Sequence, residues 1–436
     1  MSEAIMNPRT FYMDQLFRAL DSKNLIIMSG ARRVGKSCIA MQLAEELEKT
    51  FADKENIIRF DYEKLPSAPA TADELIAFLK ERFVSAKMNF ILLDEIIHIA
   101  DWELAVNFFY RFDNCKIILI SSNRHIFSNR LLAIQENKYD AIHVYPLSFK
   151  EFLYFHGFKD TTEASVSLSE KRYKQLDEKI CTVQEIYEKY AVYGGLPVIM
   201  SEYMDRERAW VVTDGAYGAT VTRDILEIYK GGYTTITDPV LLRSIVTIMA
   251  KNSGEGISST WISKQTSSQL GRPIAVKTVQ SYIRALLDAH LFYFAERFDI
   301  RSRQVMKTMG KYYLVDTCYY NYLLNATSGA EFGVFENKVY LELLRRGYTV
   351  YNGKLGNEEI TFVATKDSET IYIQVAKDLN EHSRERLFSP FKKIRDDSIK
   401  VIIALDADDH TAFSVTYEGY FVMNGFKFLM GNDLRW

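Results

Sequence analysis

The sequence predicts an α/β chain whose first third is a three-layer core with a parallel sheet, and three observations predict it. Short apolar runs recur at about 25–29, 56–60, 89–93, 116–120 and 141–145, with helical patterning between them. A glycine-rich run, Gly30-Ala31-Arg32-Arg33-Val34-Gly35-Lys36-Ser37, follows the first of these and leads into the helical pattern of Ile39 to Leu47. A later run, Phe90-Ile91-Leu92-Leu93, ends in Asp94-Glu95. Continuous apolar residues mark a strand buried on both faces, and functional residues belong at its carboxyl end.

The glycine-rich run fits G-x-x-x-x-G-K-[ST], the phosphate-binding P-loop or Walker A motif, in its strand–loop–helix setting. Glycines let the backbone turn so that successive N–H groups face phosphate oxygens, and the following helix adds the positive end of its dipole. The expected ligand is ATP or ADP with Mg2+, held by the backbone of Gly30, Ala31, Arg32, Arg33, Val34, Gly35, Lys36, Ser37 and Cys38. Lys36 reaches the β- and γ-phosphates, while Ser37 and Asp94 hold the metal. Glu95 orients or deprotonates the attacking water. After the run 116–120 come Ser121-Ser122-Asn123; Asn123 is a candidate contact to the γ-phosphate or the water, or else a helix cap.

Composition excludes several classes. With 47% hydrophobic and 25% charged residues and a net charge of −3, the chain reads as globular rather than disordered. No apolar run approaches the roughly 18 residues that span a bilayer. The N-terminus lacks a basic stretch followed by an apolar core, so no signal peptide is expected and the expected location is the cytoplasm. Four separated cysteines, Cys38, Cys115, Cys181 and Cys318, are expected as buried free thiols, and seven scattered histidines form no zinc pattern.

Beyond the core, 1–155, the chain divides into a helical lid at 156–235, a winged-helix domain at 236–315 and a second α/β domain at 316–436. The lid expectation rests on the helical spacing of Leu176, Ile180, Val183, Ile186, Tyr187 and Tyr190, broken by Gly194-Gly195-Leu196-Pro197. Arg223, beside Asp224, is a phosphate sensor or a salt-bridge partner. In the third segment Leu241, Ile245 and Ile248 mark one helix, and Ser258-Ser259-Thr260 caps a second. Val279, Tyr282, Ile283, Leu286 and Leu287 form the apolar stripe of the helix that follows. Two strands around Arg301-Ser302-Arg303 complete a helix-turn-helix with a wing. Between 258 and 312 nine basic residues stand against three acidic ones, the footprint of phosphate-backbone binding. Lys277, Gln280, Arg284, Arg301 and Arg303 are the candidate contacts to double-stranded DNA; a protein-docking role is the alternative.

SGARRVGKS, LLDEIIHIADWE, YPLSFKEFL at 145–153 and YGGLPVIM at 193–200 resemble a prokaryotic AAA+ ATPase family with a C-terminal domain of unknown function. RDIL at 223–226, KYYLVDT at 311–317 and FENKVYLELLRRGY at 335–348 extend the resemblance over nearly the whole chain. It implies an AAA+ module that binds nucleotide. Three positions depart from the family pattern: Ile96-Ile97 stand where a polar residue follows the acids, Ser121-Ser122 where threonine and glycine precede the last polar residue, and Asn137-Lys138 where Gly-Arg is usual. Lys138 offers a point charge without a bidentate fork, which implies slow or regulated hydrolysis. The stretch Pro8-Arg9-Thr10-Phe11-Tyr12 resembles the family's approach to the first strand, where Arg9 or Tyr12 would stack on adenine, or simply start a helix.

The last third reads as a helix from Glu336 to Arg346, strands at Thr349–Tyr351, Glu359–Ala364 and Thr370–Ala376, a helix near 383–395 and a strand at Lys400–Ala404. This order resembles the PD-(D/E)XK nuclease fold. Such a nuclease needs an aspartate and a Glu-x-Lys to hold Mg2+; here Thr361 and Gln374-Val375-Ala376 stand in those places, only Glu336 survives, and Lys377 is shifted to the opposite strand face. Glu358 or Glu359 is the only replacement acid at hand, and one of the two at most faces the site. Cleavage is therefore not expected. The expected function is an ATPase that couples Mg-ATP to the shape of a winged helix and a nuclease-like tail. An ATP-gated DNA nuclease and a nucleotide-holding switch for protein interaction are the alternatives. Self-association or a protein partner remains open, and no membrane is expected.

Overall fold

A computed structural model describes residues 9–50, 54–65, 67–162, 167–175, 179–199, 205–230, 236–325, 332–407, 414–415, 419–432 and 434. They form two compact units: Met1–Tyr145 with Gly218–Tyr233 and Asp288–His290, and Pro146–Tyr217 with Thr234–Leu287 and Leu291–Trp436. Pro8, part of the expected adenine-facing stretch, lies outside the described residues.

The first unit runs α1 (Thr10–Leu20), β1 (Leu25–Ser29), α2 (Lys36–Thr50), β2 (Ile57–Asp61), α3 (Ala72–Lys80) and β3 (Asn89–Asp94). It continues through α4 (Trp102–Tyr110), β4 (Cys115–Ser121), α5 (Leu132–Gln135) and β5 (Tyr139–His143). The strands form one parallel sheet in the order β2-β3-β4-β1-β5. Ile27, Ile91, Leu93, Ile117 and Leu119 point to one face and pack with Leu75, Leu79, Val106 and Phe109 of α3 and α4. The alternate residues Ile26, Met28, Leu92, Ile118 and Ile120 are buried as well, so a second layer covers the other face. Elements α1 and α2 lie against these strands and each other, which gives the three layers. The expected strand positions match within about two residues because central strands buried on both sides must be apolar throughout. A π-helical stretch, Thr220–Glu227, also belongs to this unit.

The second unit begins with α6 (Phe149–Phe155), started by a capping box between Ser148 and Glu151. A three-stranded sheet follows: β6 (Lys159–Asp160), β7 (Arg172–Lys174) and β8 (Ile180–Thr182). This corrects the helical reading of Ile180, which sits in a strand with its side chain exposed. Leu176, read in the same pattern, is outside the described residues. Helix α7 (Val183–Tyr193) buries Val183, Ile186, Tyr187 and Tyr190, the remainder of that stripe.

Next come α8 (Arg206–Ala219), α9 (Pro239–Lys251), α10 (Ser259–Leu270) and α11 (Val276–Asp288). Ser258 caps α10 by accepting from the Trp261 N–H, and the stripe of α11 buries Val279, Tyr282, Ile283 and Leu286. The hairpin β9 (Phe292–Asp299) and β10 (Gln304–Leu314) leads to α12 (Thr317–Leu324), α13 (Phe332–Arg345), β11 (Thr349–Leu355), β12 (Glu358–Lys366) and β13 (Glu369–Ala376). The chain ends with α14 (Glu381–Lys392), β14 (Ile399–Ala404), β15 (Ser414–Val415), β16 (Phe421–Asn424) and α15 (Gly425–Leu429). The hairpin does not stand alone. Strand β9 pairs parallel with β11, and one sheet runs β10-β9-β11-β12-β13-β14-β16-β15. Ile300, at the hairpin's turn, shares a core with Leu355, Ile360, Tyr372 and Ile402.

Candidate functional site

Functional side chains of the first unit gather at the carboxyl ends of β1, β3 and β4, where parallel sheets leave a crevice. The loop after β1 is bent by Gly30 at φ 151°, Arg33 at 68° and Gly35 at 97°. At Gly30 a Cβ would lie 2.2 Å from the Val144 carbonyl oxygen, so the loop is pressed onto the end of β5 and only glycine fits. Arg9 clamps the same loop, donating to the Val34 and Tyr145 carbonyls at 2.9 Å each. Tyr12 is fully buried and its hydroxyl accepts the Tyr145 N–H, so it has no open face for a base. Arg9 and Tyr12 therefore brace the loop, and of their two readings the structure displays the helix start, with Arg9 at the N-cap of α1.

Ala31, Arg32, Val34 and Lys36 are buried, whereas Arg33, Ser37 and Cys38 are exposed. Exposure corrects the expectation for Cys38; Cys115 is half-buried, and Cys181 and Cys318 are buried and free. The Lys36 ammonium donates to the Gly30 and Ala31 carbonyls at 2.9 Å each. Burial lowers its pKa, and Glu95, Asp94 and Asp224 work the other way. Asp94 ends β3 and bonds with the Ser37 side chain, while its Oδ1 is buried with no hydrogen-bond partner among the described residues. Burial raises its pKa to about 6. A hydroxyl and a carboxylate with an oxygen to spare, at the mouth of a P-loop, are a fitting pair of ligands for Mg2+.

Glu95 follows in the left-handed region at φ 55°, an uncommon backbone state that turns its side chain toward β4. Its carboxylate accepts the Ser122 N–H at 2.8 Å and the Ser121 hydroxyl at 3.2 Å, and burial pushes its pKa up to about 7. Asn123 is committed at both ends: Oδ1 caps the turn by accepting the His125 N–H, and Nδ2 donates to the Asp224 carbonyl at 2.9 Å. The structure displays the capping role for this residue.

Glu63 and Asp224, to which sequence reasoning gave no role at the site, complete the cluster. Arg32 donates from Nε and Nη2 to the two Asp224 oxygens at 2.9 and 2.6 Å, and from Nη1 to Glu63 at 2.6 Å. Ser122 donates to Asp224 at 2.7 Å. Burial opposes the Arg32 charge, but the bond to Asp224 and the nearby acids overcompensate and raise its pKa. Arg223 binds Glu63 at 2.8 Å, the salt-bridge alternative of its two readings. The sequence signal was the RDIL segment, in which the arginine drew attention and the neighbouring Asp224 did not. Lys138 is exposed and paired with Glu136 at 2.9 Å.

In the second unit Lys277, Gln280 and Arg284 are exposed on α11, and Arg301 and Arg303 are exposed at the β9–β10 turn. Gln280 bonds to Ser259, and Arg303 lies 3.5 Å from Asp396. The candidate nuclease residues form a different kind of cluster. Thr361 donates from its N–H and hydroxyl to Gln374 Oε1 at 3.1 and 2.8 Å, and Lys377 points to solvent. Among the described residues no group of three or more acids, histidines or cysteines could hold a metal ion. No helix among them is long and apolar enough to cross a membrane.

Fold and site together define a protein of the AAA-type P-loop class, and comparison with known proteins agrees. Residues 22–153 match the AAA domain model, and residues 184–330 match a domain of unknown function. An uncharacterized protein of Haemophilus influenzae is 30% identical over 406 residues, covering 92% of this chain and 94% of that one. The chain belongs to the same family as that protein. An uncharacterized protein of Methanocaldococcus jannaschii is 24% identical over 376 residues, or 84% of this chain and 78% of that one. Among solved structures, the Aeropyrum pernix ORC1 protein in complex with DNA aligns with a TM-score of 0.32 at 13% identity, covering 74% of this chain and 93% of that one. The replication initiator DnaA bound to AMPPCP and single-stranded DNA aligns at 0.26 and 15%, covering 64% and 86%.

Proposed function

We propose that the chain binds Mg-ATP in the loop 30–38 and hydrolyses it, with the second unit as the element whose state the nucleotide sets. The observation that carries this reading is the buried, unpartnered oxygen of Asp94 beside Ser37, directly behind a loop closed by Lys36. The P-loop amides and Lys36 grip the phosphates; Lys36 exchanges its two loop carbonyls for phosphate oxygens. Ser37 and Asp94 would hold Mg2+, which would neutralise phosphate charge when bound. Glu95 takes the proton of a water whose oxygen bonds to the γ-phosphorus, while the bond to the β,γ-bridging oxygen breaks and ADP leaves.

The test is direct. Lys36→Ala is expected to abolish nucleotide binding, and Glu95→Gln to bind ATP while turnover falls about 100-fold or more. Undiminished ATP affinity in the first variant, or wild-type turnover in the second, overturns the assignment.

One observation favours a second reading, a nucleotide-holding switch with little turnover. Glu95 is engaged by Ser121 and Ser122, so hydrolysis requires that it first be released. Steady-state phosphate release distinguishes the two readings. Association with double-stranded DNA through Lys277, Gln280, Arg284, Arg301 and Arg303 is the partner best supported by charge, since these residues are solvent-facing in a basic segment. For the C-terminal α/β region we propose a holding or assembly role rather than cleavage, because Thr361 and Gln374 bind each other and supply no carboxylate for a divalent metal.

A further inference from the structure

Asp224 is buried to 0% exposure, yet gripping phosphate and activating water give it no task. Its carboxylate takes the Nε and Nη2 edge of Arg32 at 2.9 and 2.6 Å and the Ser122 hydroxyl at 2.7 Å. Its main-chain carbonyl is held by Asn123. Arg32 is the third residue of the P-loop, and Ser122 stands at the end of β4 with its N–H on Glu95. A fork of two guanidinium donors plus a hydroxyl, beside a P-loop lysine and the acid that faces the attacking water, is a donor set shaped for the oxygens of a phosphoryl group. An aspartate of the same unit fills it.

Two physical facts limit what can share this place. All three Arg32 nitrogens are engaged: Asp224 holds the Nε and Nη2 edge, and Glu63 holds Nη1. Around it, Lys36, Arg32 and Arg223 already face Asp94, Glu95, Asp224 and Glu63, so the acids match or outnumber the bases before any phosphate arrives. A doubly charged terminal phosphate cannot lie against Arg32 and Ser122 while Asp224 stays on them. A diphosphate ends one phosphoryl group earlier and leaves the pair intact. The residue that must yield sits within the π-helical stretch Thr220–Glu227, and π-turns hold their extra residue at a cost and cluster at functional sites.

We propose that Asp224 stands in for the terminal phosphate of a bound triphosphate, so that ATP but not ADP takes Arg32 and Ser122 from it and releases the segment 220–227. Arg32 is then the group that distinguishes the two nucleotides, and Asp224 a positioning residue that reports the difference to the helix carrying it. This proposal rests on the reading of 30–38 as a nucleotide site.

The experiment uses the full chain with Mg2+ and either ADP or ATPγS, a slowly hydrolysed triphosphate. Calorimetry on wild type, Asp224→Asn and Glu63→Gln is expected to show ATPγS binding about tenfold tighter to the Asp224→Asn variant, with ADP affinity within about twofold of wild type. Equal changes for both nucleotides, no change for either, or a triphosphate-selective gain in Glu63→Gln instead, overturns the proposal. Hydrogen exchange on the wild-type protein needs no variant to fold: amides of 220–228 are expected to exchange about tenfold faster with ATPγS than with ADP. Equal protection overturns it. Wild-type protein that binds neither nucleotide removes the site itself, whereas protein that binds both with no difference at 220–228 removes only the role of Asp224.

Discussion

The Lys311 ammonium lies 2.7 Å from Glu359 Oε1, and the same nitrogen stands 3.4 Å from the buried Glu336. Tyr313 donates to Glu336 at 2.7 Å, and Asn352 donates to Glu359 at 2.8 Å. One protein cation thus satisfies both acids, of which Glu336 is the one that the nuclease resemblance retains. Burial raises the Glu336 pKa, and Lys311 and Tyr313 pull it back.

Removing that cation is expected to be costly. Lys311→Met leaves Glu336 buried without its counter-charge and should destabilise the protein by about 3 kcal/mol at pH 7.5. The Glu336 pKa then rises further, so the folded chain holds a proton that the unfolded chain gives up, and stability should recover as pH falls toward 5. Urea midpoints at the two pH values measure this. Plasmid incubated with the wild-type protein and Mg2+ or Mn2+ should remain uncut; cutting abolished by Glu336→Ala would restore the nuclease reading.

The ligand-free site carries its own pH dependence. Burial raises Asp94 to about 6 and Glu95 from 4.5 to about 7. For a carboxyl whose folded pKa is raised, stability is fully present below the unfolded value and is lost as pH climbs through the folded one. These two carboxyls should therefore withdraw stability as pH rises from about 4 to 7, against the gain that the buried, neutral His143 and His156 bring over the same range. Glu95→Gln, which cannot ionise, should exceed the wild type by about 1–3 kcal/mol at pH 7.5. Turnover runs the opposite way, rising with pH as Glu95 becomes a base. Denaturation and phosphate-release profiles taken together check both signs.

Asp316 ties two distant loops of the second unit. It accepts the Gly195 N–H at 2.7 Å and the Cys318 N–H at 2.9 Å, and a Cβ at Gly194 would come within 1.6 Å of its Oδ1. Asp316→Ala strands two buried donors and should cost about 1–3 kcal/mol, measured as a fall in Tm; Asp316→Asn, which keeps an acceptor, should cost less.

If the exposed cations of α11 and the β9–β10 turn meet duplex DNA, Lys277→Ala and Arg301→Ala should each weaken binding uniformly across sequences. Each should also lower the slope of log affinity against log salt by about 1. Anisotropy titrations at several salt concentrations measure both, and unchanged slopes would assign these side chains to solvent or to a protein surface.

The central strands Leu25–Ser29 and Asn89–Asp94 were legible because they are buried on both faces, so that Leu25 to Met28 and Phe90 to Leu93 are apolar without a break. The P-loop and Asp94-Glu95 were legible because phosphate and metal chemistry fixes residue types at fixed spacing. The partner of Arg32 was not, since Asp224 lies 192 residues away and only the folded chain brings them together. Strands of two or three residues, such as Lys159–Asp160 and Arg172–Lys174, are too short to show alternation, and the same holds for Ser414–Val415. A π-helical turn has no distinctive sequence spacing. Pairing of β9 with β11 is a long-range choice that neither strand announces.

That last pairing has a mechanical outcome. Hydrogen bonds from Arg297 to Asp299 against Asn352 to Lys354 weld the hairpin into the same plate as the final strands. Whatever displaces β9 is passed through those bonds to β11 and on to the strands paired beyond it. A shortened protein ending near residue 315 would lose that support and bare the flank of β9, a sticky seam that invites other molecules to stack on it.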